Sequence, residues 1–429
     1  MLDSFKNFLS LKEIKKEDRI FLMGTFFLPS AFPVGAFLLL ISLIMSINKK
    51  SNMLDDKWNY PVIISIGLIL ISTLNITFLN YPYELLDYPK SNIWVNLFNW
   101  IPSLVCFWGF QNFLNTETQR LNFFKYFLLG TFPILFSCVN QFVFKIYGPF
   151  STLNGLIVWY QRHPLNGSIT GLFNNANYLA FWLSIVLPVA LFFFKISKHK
   201  SEKISFSLIS FLIISFIVLT NSRNGLLCLV IILFSFFALK NLLLYFLSGL
   251  FFISITQYGF QLINPSISLN NWFQINIILN NISNFSLDFD SSPRYLIFKS
   301  SLSLIREKPL FGWGASTFPY LHSNSGSTVD AQHAHNIFLE LAHNFGIPLS
   351  LVILITIVIL LFKLFKAIQL NRSVYKINLL EKSWLVSTSL IFILHATDIT
   401  LYDGKINLLI CIFLAGCRSI LNTHKYSSS

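Results

Sequence analysis

Between Ile347 and Phe362 the chain reads IPLSLVILITIVILLF, in which only Ser350 and Thr356 are polar. As a helix rising 1.5 Å per residue, about 20 such residues cross the ~30 Å hydrocarbon core of a bilayer. Comparable apolar runs fall at 62–79, 93–113, 123–144, 177–194, 204–220, 225–239, 241–257, 347–367, 384–396 and 406–421. With 54% hydrophobic residues, 47 of them Phe, the 429-residue chain carries more apolar surface than cores of ordinary size can hide. In lipid every backbone polar group needs an internal partner, and the ten-residue alternation of a membrane barrel is missing. The expected fold is therefore all-α, a polytopic integral membrane protein.

Charge sets the topology. The segment from Arg19 to Lys50 is one long kinked span or two short ones turning between Pro29 and Pro33. Lys6, Lys12, Lys15, Lys16 and Arg19 precede it, and Lys49, Lys50 and Lys57 follow. Basic flanks stay in the cytoplasm, so an even number of crossings is required and two spans are favoured. This gives about 12 transmembrane helices with both termini inside. The expected divisions are a cytoplasmic segment 1–19, a bundle of about nine spans over 20–257, a large outer loop 258–346, three last spans over 347–421 and a cytoplasmic tail 422–429. Of the 31 Lys and Arg, only Lys90, Lys145, Arg162, Arg223, Arg294, Lys299, Arg306, Lys308 and Lys405 then fall outside. The net charge of +13 is mostly an orientation signal. No soluble basic face is left to bind nucleic acid. Cys106, Cys138, Cys228, Cys411 and Cys417 sit in or beside apolar runs and read as packing residues. The acid-bearing start KEIKKEDR does not fit a cleavable signal.

Polar chemistry concentrates in two outer loops, about 145–176 and 258–346. A loop as long as the second is usually functional or disordered. It contains SSPRYLIFKSSLSLIREKPLFGWGAS, where Tyr295, Phe298, Leu302 and Ile305 recur at helical spacing after a Ser291–Ser292–Pro293 start. An amphipathic helix is expected there, lying on the membrane surface and ended by Pro309. Arg294 heads it, and Arg223 stands in the short outer turn TNSRNGLL. Each could be a plain surface arginine, its stem snorkelling. Yet orientation rules disfavour outer arginines, and two guanidiniums suit a phosphate or diphosphate. Arg162 in YQRHPLNGS is a third candidate.

The stretch DAQHAHNIFLELAHNFG, immediately before the 347–367 run, admits three readings. His333 and His335 with Glu340 or His343 could ligate zinc, although the spacing is not an established one. The polar residues could be the wet start of an interfacial helix. A neutral histidine could also take a proton from a hydroxyl, with Asn336, Glu340 and His343 on one helical face.

Four stretches in order, GSITGLFNNANYLAFWLSIVLP, TNSRNGLL, PRYLIFKSSLSLIREKPLFGWGASTF and HAHNIFLELAHNFGIPLSL, resemble the bacterial O-antigen ligase and O-antigen polymerase family of membrane glycosyltransferases. They cover roughly 165–365; the N-terminal third carries no matching motif. The resemblance implies a metal-independent enzyme without a cofactor. It would move a glycan from an undecaprenyl-diphosphate-linked donor to an acceptor hydroxyl on a lipid A core, a glycan or a protein, at the outer face of the cytoplasmic membrane. Membrane lipids surround it. Carried over residue by residue, Arg223 and Arg294 contact the diphosphate and His335 is the catalytic base. His333, Asn336 and Glu340 from the same motif, with Arg162, complete the expected substrate contacts. A multispan transporter or channel is the rival reading, against which stand the lack of an internal repeat and of mid-span charges. Ligase and polymerase share these motifs.

Overall fold

The computed structural model describes residues 14–47, 54, 56–163, 168–237, 293–325, 329–370 and 375–427. The chain is a helical bundle with one polar end that carries the site. Among the described residues, eight helices are long and apolar enough to cross a membrane: Lys57–Leu79, Lys90–Phe113, Glu117–Val143, Ala176–Ile196, Lys200–Leu219, Ile347–Leu370, Tyr375–His395 and Gly404–His424. Phe32–Ile47 and Arg223–Phe236 are shorter apolar helices. The expected span at 241–257 lies outside the described residues, as do the first part of the 258–346 loop and the Ser291–Ser292 start.

In chain order we name α1 (Lys16–Phe27), α2 (Phe32–Ile47), α3 (Tyr60–Leu74), α4 (Lys90–Val95), α5 (Ile101–Phe110), α6 (Glu117–Val143), α7 (Ala176–Ile196), α8 (Lys200–Leu219) and α9 (Arg223–Phe236). Then follow α10 (Pro293–Glu307), α11 (Phe318–Asn324), α12 (Ile337–Phe345), α13 (Ile347–Leu370), α14 (Tyr375–His395) and α15 (Gly404–Ser427). The 19–50 region is thus two helices with a turn at 28–31, where two spans were favoured. The first span after it is extended by a π turn at Asn75–Leu79, and the next is broken between α4 and α5 by a 3-10 turn at Asn96–Asn99.

Local chemistry fixes the helix starts. Thr116 and Gln119 form a capping box on α6, Asn175 caps α7 and Ser222 caps α9. Pro133 and Pro188 lie inside α6 and α7, which the packing of neighbouring membrane helices tolerates. Helix α7 is the central one, buried continuously from Leu179 to Phe193. Around it Phe123, Phe124, Phe127, Trp182, Trp384 and Phe413 interlock, with Phe124 stacked on Trp384 at 5.2 Å. All five cysteines are buried and free. By contrast α13 exposes Leu351, Ile355, Val358 and Phe362 in one stripe, an outward face that suits lipid.

The bundle end away from the site is tied by polar pairs: Gln119 to Asp18, Arg418 to Asp56 and His424 to Glu381. The described parts of both chain ends lie there. Two details depart from the sequence reading. A small antiparallel hairpin, β1 (Phe150–Thr152) and β2 (Ile157–Trp159), interrupts the all-α expectation. Its turn places Leu153, Asn154 and Gly155 at positive φ, and outside the bilayer a short ribbon can complete its hydrogen bonds with water. Loop helix α10 buries Ile297, Ser301, Leu304 and Ile305. Tyr295 and Phe298 stay exposed, as a stripe facing the membrane surface would, but Ile305 of the same stripe is buried where α10 packs toward α12.

Candidate functional site

Three segments meet at the polar end: the 330–336 turn, α12 and the 396–403 loop between α14 and α15. Asn336 is the cap of α12, its Oδ1 accepting from the backbone N–H of Phe338 at 2.9 Å and of Leu339 at 3.2 Å. Its Nδ2 donates to the Ala396 carbonyl at 2.9 Å. Both ends of this amide are therefore engaged within the chain. Asn336 thus positions the site, and its second Nδ2 hydrogen has no partner among the described residues.

His335 precedes it at φ 51°, a left-handed conformation that costs a non-glycine residue on the order of 1–3 kcal/mol. The twist aims its ring at the 396–403 loop. His335 Nδ1 lies 3.1 Å from Asp398 Oδ1. Asp398 is held in turn: Oδ1 also accepts the Ile399 N–H at 2.9 Å, and Oδ2 accepts Asn177 Nδ2 at 3.0 Å from the first turn of α7. Burial alone would raise the Asp398 carboxyl. The hydrogen bond from His335 and the charges of His335, His333 and Arg294 outweigh that and hold it below the usual carboxylate range. An ionised Asp398 accepts only, so the Nδ1 of His335 that faces it carries a proton, and a neutral ring held this way has its lone pair on Nε2.

His333 sits beside it, with ring centroids 4.4 Å apart, and its Nδ1 faces the His335 N–H at 3.4 Å. Burial, followed by the neighbouring His335, pushes the His333 imidazole down to about 4. It is neutral at pH 7. Arg294, at the exposed start of α10, lies close enough for its charge to act on Asp398. Arg223 is exposed at the first residue of α9. Two residues on, the Cβ position of Gly225 lies 3.0 Å from Ala180 Cβ of α7, the helix whose first turn holds Asp398. Arg162 stands apart, its guanidinium 5.6 Å from the Tyr160 ring centroid.

Glu340 lies beneath this layer, 1% exposed, with its carboxylate engaged inside the chain. Oε2 accepts the Ala334 N–H at 2.9 Å, and Oε1 accepts from Asn344 Nδ2 and the Tyr402 hydroxyl. Burial pushes its carboxyl up against those three hydrogen bonds. From beneath, Glu340 ties the histidine-bearing turn to the 396–403 loop. His343 does not join the cluster either. It is fully buried, pairs with the Thr317 hydroxyl at 3.1 Å, and burial pushes it down to about 3.

The histidine and carboxylate set drawn for zinc from sequence is therefore not assembled, since Glu340 and His343 turn inward. Another set is. His333, His335 and Asp398 each bring one donor atom within 4.8 Å of the others, a spacing a cation can bridge. His335 Nδ1 can donate to Asp398 or ligate an ion, but not both at once.

The FGWG turn explains how α12 is fixed. Trp313 and Gly314 donate their N–H groups to the carbonyls of His343 and Asn344 at 2.7 and 3.0 Å. Gly312 has φ 65°, and a Cβ there would lie 2.4 Å from the His343 carbonyl oxygen. Only glycine permits that approach. A satellite core of Leu85, Ile297, Leu304, Trp313, Phe318 and Leu321 fills the space above, with Tyr88 donating to the Ser316 carbonyl. The 80–95 segment thereby braces the loop helix.

Compared with known proteins, residues 208–370 match the O-antigen ligase family. A search of curated proteins finds no match.

Proposed function

From the premise that residues 208–370 belong to the O-antigen ligase family, we propose that this multi-pass membrane protein transfers a glycan from an undecaprenyl-diphosphate-linked donor to an acceptor hydroxyl at the outer membrane face. The observation that carries the reading is the His335–Asp398 pair with Arg294 beside it. The acceptor oxygen attacks the anomeric carbon while the bond from that carbon to the diphosphate breaks. The acceptor proton passes to His335 Nε2, and the lipid diphosphate leaves with the bonding electrons. Asp398 holds the ring in the tautomer that leaves Nε2 basic and stabilises the imidazolium that forms. Arg294 and Arg223 place fixed positive charge where the leaving group gains negative charge. No step requires a metal.

The test is a transfer assay in vesicles with an undecaprenyl-diphosphate-linked saccharide and a set of lipid, glycan and peptide acceptors. Wild type should transfer with and without EDTA, and His335→Ala should bind the donor yet transfer slowly. Activity abolished by chelation and restored by a divalent cation would make the histidine pair and Asp398 a metal site and overturn the base assignment.

A further inference from the structure

A cavity of about 450 Å³ opens behind the 396–403 loop, between the 28–33 turn, the β-hairpin and the start of α15. It lies within the ~300–1,000 Å³ range of small-ligand pockets. Tyr160, Tyr178, Tyr402, Asn174, Asp403 and Lys405 carry its chemistry. It borders the site through two of these: Tyr402 donates to Glu340 and faces the His333 ring at 6.2 Å and 24°, and Tyr178 is within electrostatic reach of Asp398.

We propose that this cavity is a saccharide subsite, one that holds the sugar next to the reacting bond. The inference rests on the transferase reading and adds where the glycan is recognised. A pyranose presents an apolar face of C–H bonds and a rim of hydroxyls. Tyrosine rings offer electron-rich faces to the former, and their hydroxyls serve the latter. Asp403 Oδ1 caps α15 by accepting the N–H of Lys405 and Ile406 at 2.9 and 3.3 Å, which leaves Oδ2 for sugar hydroxyls. Lys405 is buried, with one N–H given to the Leu172 carbonyl at 2.9 Å and its charge over the Phe173 ring at 4.9 Å. Two more of its donors remain. The remaining lining, Phe32, Pro33, Leu156, Ile157 and Val158, is apolar, so the walls are mixed, as a ring with an apolar face and a hydroxyl rim requires and an all-apolar lipid tail does not. A diphosphate is poorly matched as well, because Asp403 offsets Lys405.

The placement in the chain points the same way. Every lining residue lies outside 208–370. The family-matched segment supplies His335 and both arginines, while the 28–33 turn, the hairpin and the 402–405 segment form the wall that reads the sugar. Arg162, resting on Tyr160, braces that wall.

The test uses the full chain in detergent, with glucose, galactose and N-acetylglucosamine as probes in saturation-transfer NMR, and undecaprenyl diphosphate without a sugar as the control lipid. Wild type should contact at least one sugar, and Tyr160→Ala and Asp403→Asn should each weaken it about threefold to tenfold. Asparagine still caps α15, so that variant folds. Both should bind the control lipid as wild type does. In turnover, a raised KM for the lipid-linked saccharide alone assigns the pocket to the donor glycan, and a raised KM for the acceptor alone assigns it to the acceptor. No sugar contact in wild type, or unchanged affinity in both variants, overturns the subsite even if transfer proceeds. Sugar binding without any transfer would instead defeat the transferase reading and leave the pocket standing.

Discussion

Asp398 Oδ1 lies 3.1 Å from His335 Nδ1, joining two residues 63 positions apart in the sequence. Asp398 is 8% exposed and its carboxylate pairs with the imidazole, which suits an orienting role. Asp398→Asn should lower the transfer rate about 10²–10⁴-fold while donor affinity stays near wild type, because an amide can present an N–H to Nδ1 and select the wrong tautomer. Initial rates alongside lipid-donor binding check this; a wild-type rate in the asparagine variant removes Asp398 from the mechanism.

The arginines should behave as charge carriers with geometry. Arg294→Ala and Arg223→Ala should each cost about 10–100-fold in transfer. Lysine at either position should recover part of it, since charge returns but the fork does not. Near-normal turnover in both alanine variants would remove the diphosphate contacts.

Glu340 offers a contrast between positioning and catalysis. Glutamine keeps one accepting oxygen but sets its N–H₂ group either against the Ala334 N–H or against the Asn344 and Tyr402 donors, so Glu340→Gln should lower stability by about 1–3 kcal/mol and lower kcat with it. The acid limb of the pH–rate profile should stay where it is in wild type. Its disappearance would make Glu340 the base.

His333 gives a signed pH dependence. Its folded-state value of about 4 lies below the ordinary 6.5, so between those limits the unfolded chain binds more protons than the folded one. Stability from this residue is complete above about pH 6.5 and falls as pH drops toward about 4, by on the order of 3 kcal/mol. His333→Gln should flatten that part of the thermal-unfolding curve in detergent. An unchanged slope counts against a buried neutral His333.

Gly312→Ala places a Cβ 2.4 Å from the His343 carbonyl at φ 65°. Stability should fall by about 1–3 kcal/mol from the backbone conformation alone and more from the clash, read as a clearly lower melting temperature. A wild-type melting temperature would show that the turn does not pack on α12 as described.

Membrane class was legible because apolar length is a local mark; Arg223, Arg294 and His335 could be singled out as candidates by equally local marks, a cation retained where cations are disfavoured and a histidine beside an asparagine at a helix start. Asp398 left none. It sits in HATDITLYDGK, where only the presence of two carboxylates at the end of an apolar run hinted at function, and its partner is supplied by tertiary folding. Glu340 and His343 were misplaced for the converse reason. Helical spacing grouped them with Asn336 on one face, but Asn336 is the cap of a helix that begins at Ile337, and the side carrying Glu340 and His343 is buried against Tyr402 and Thr317. Most of the cavity wall beside the site, from the 30–33, 156–160 and 402–405 segments, comes from stretches without a motif; Asn174 and Tyr178 are the exceptions.

The junction of α12 and α13 has a mechanical side. The Ile347 N–H donates to the Pro309 carbonyl, Gly346 to Ala342, and the Ser350 hydroxyl to the Phe338 carbonyl. The site-bearing turn is thus stitched to the top of a 24-residue helix without a hinge between them. A helix of that length is about 36 Å long, somewhat more than a typical hydrocarbon core. It responds to a thinner bilayer by tilting. The tilt carries His335 with it, so bilayer thickness becomes a setting for the height at which the base meets its acceptor.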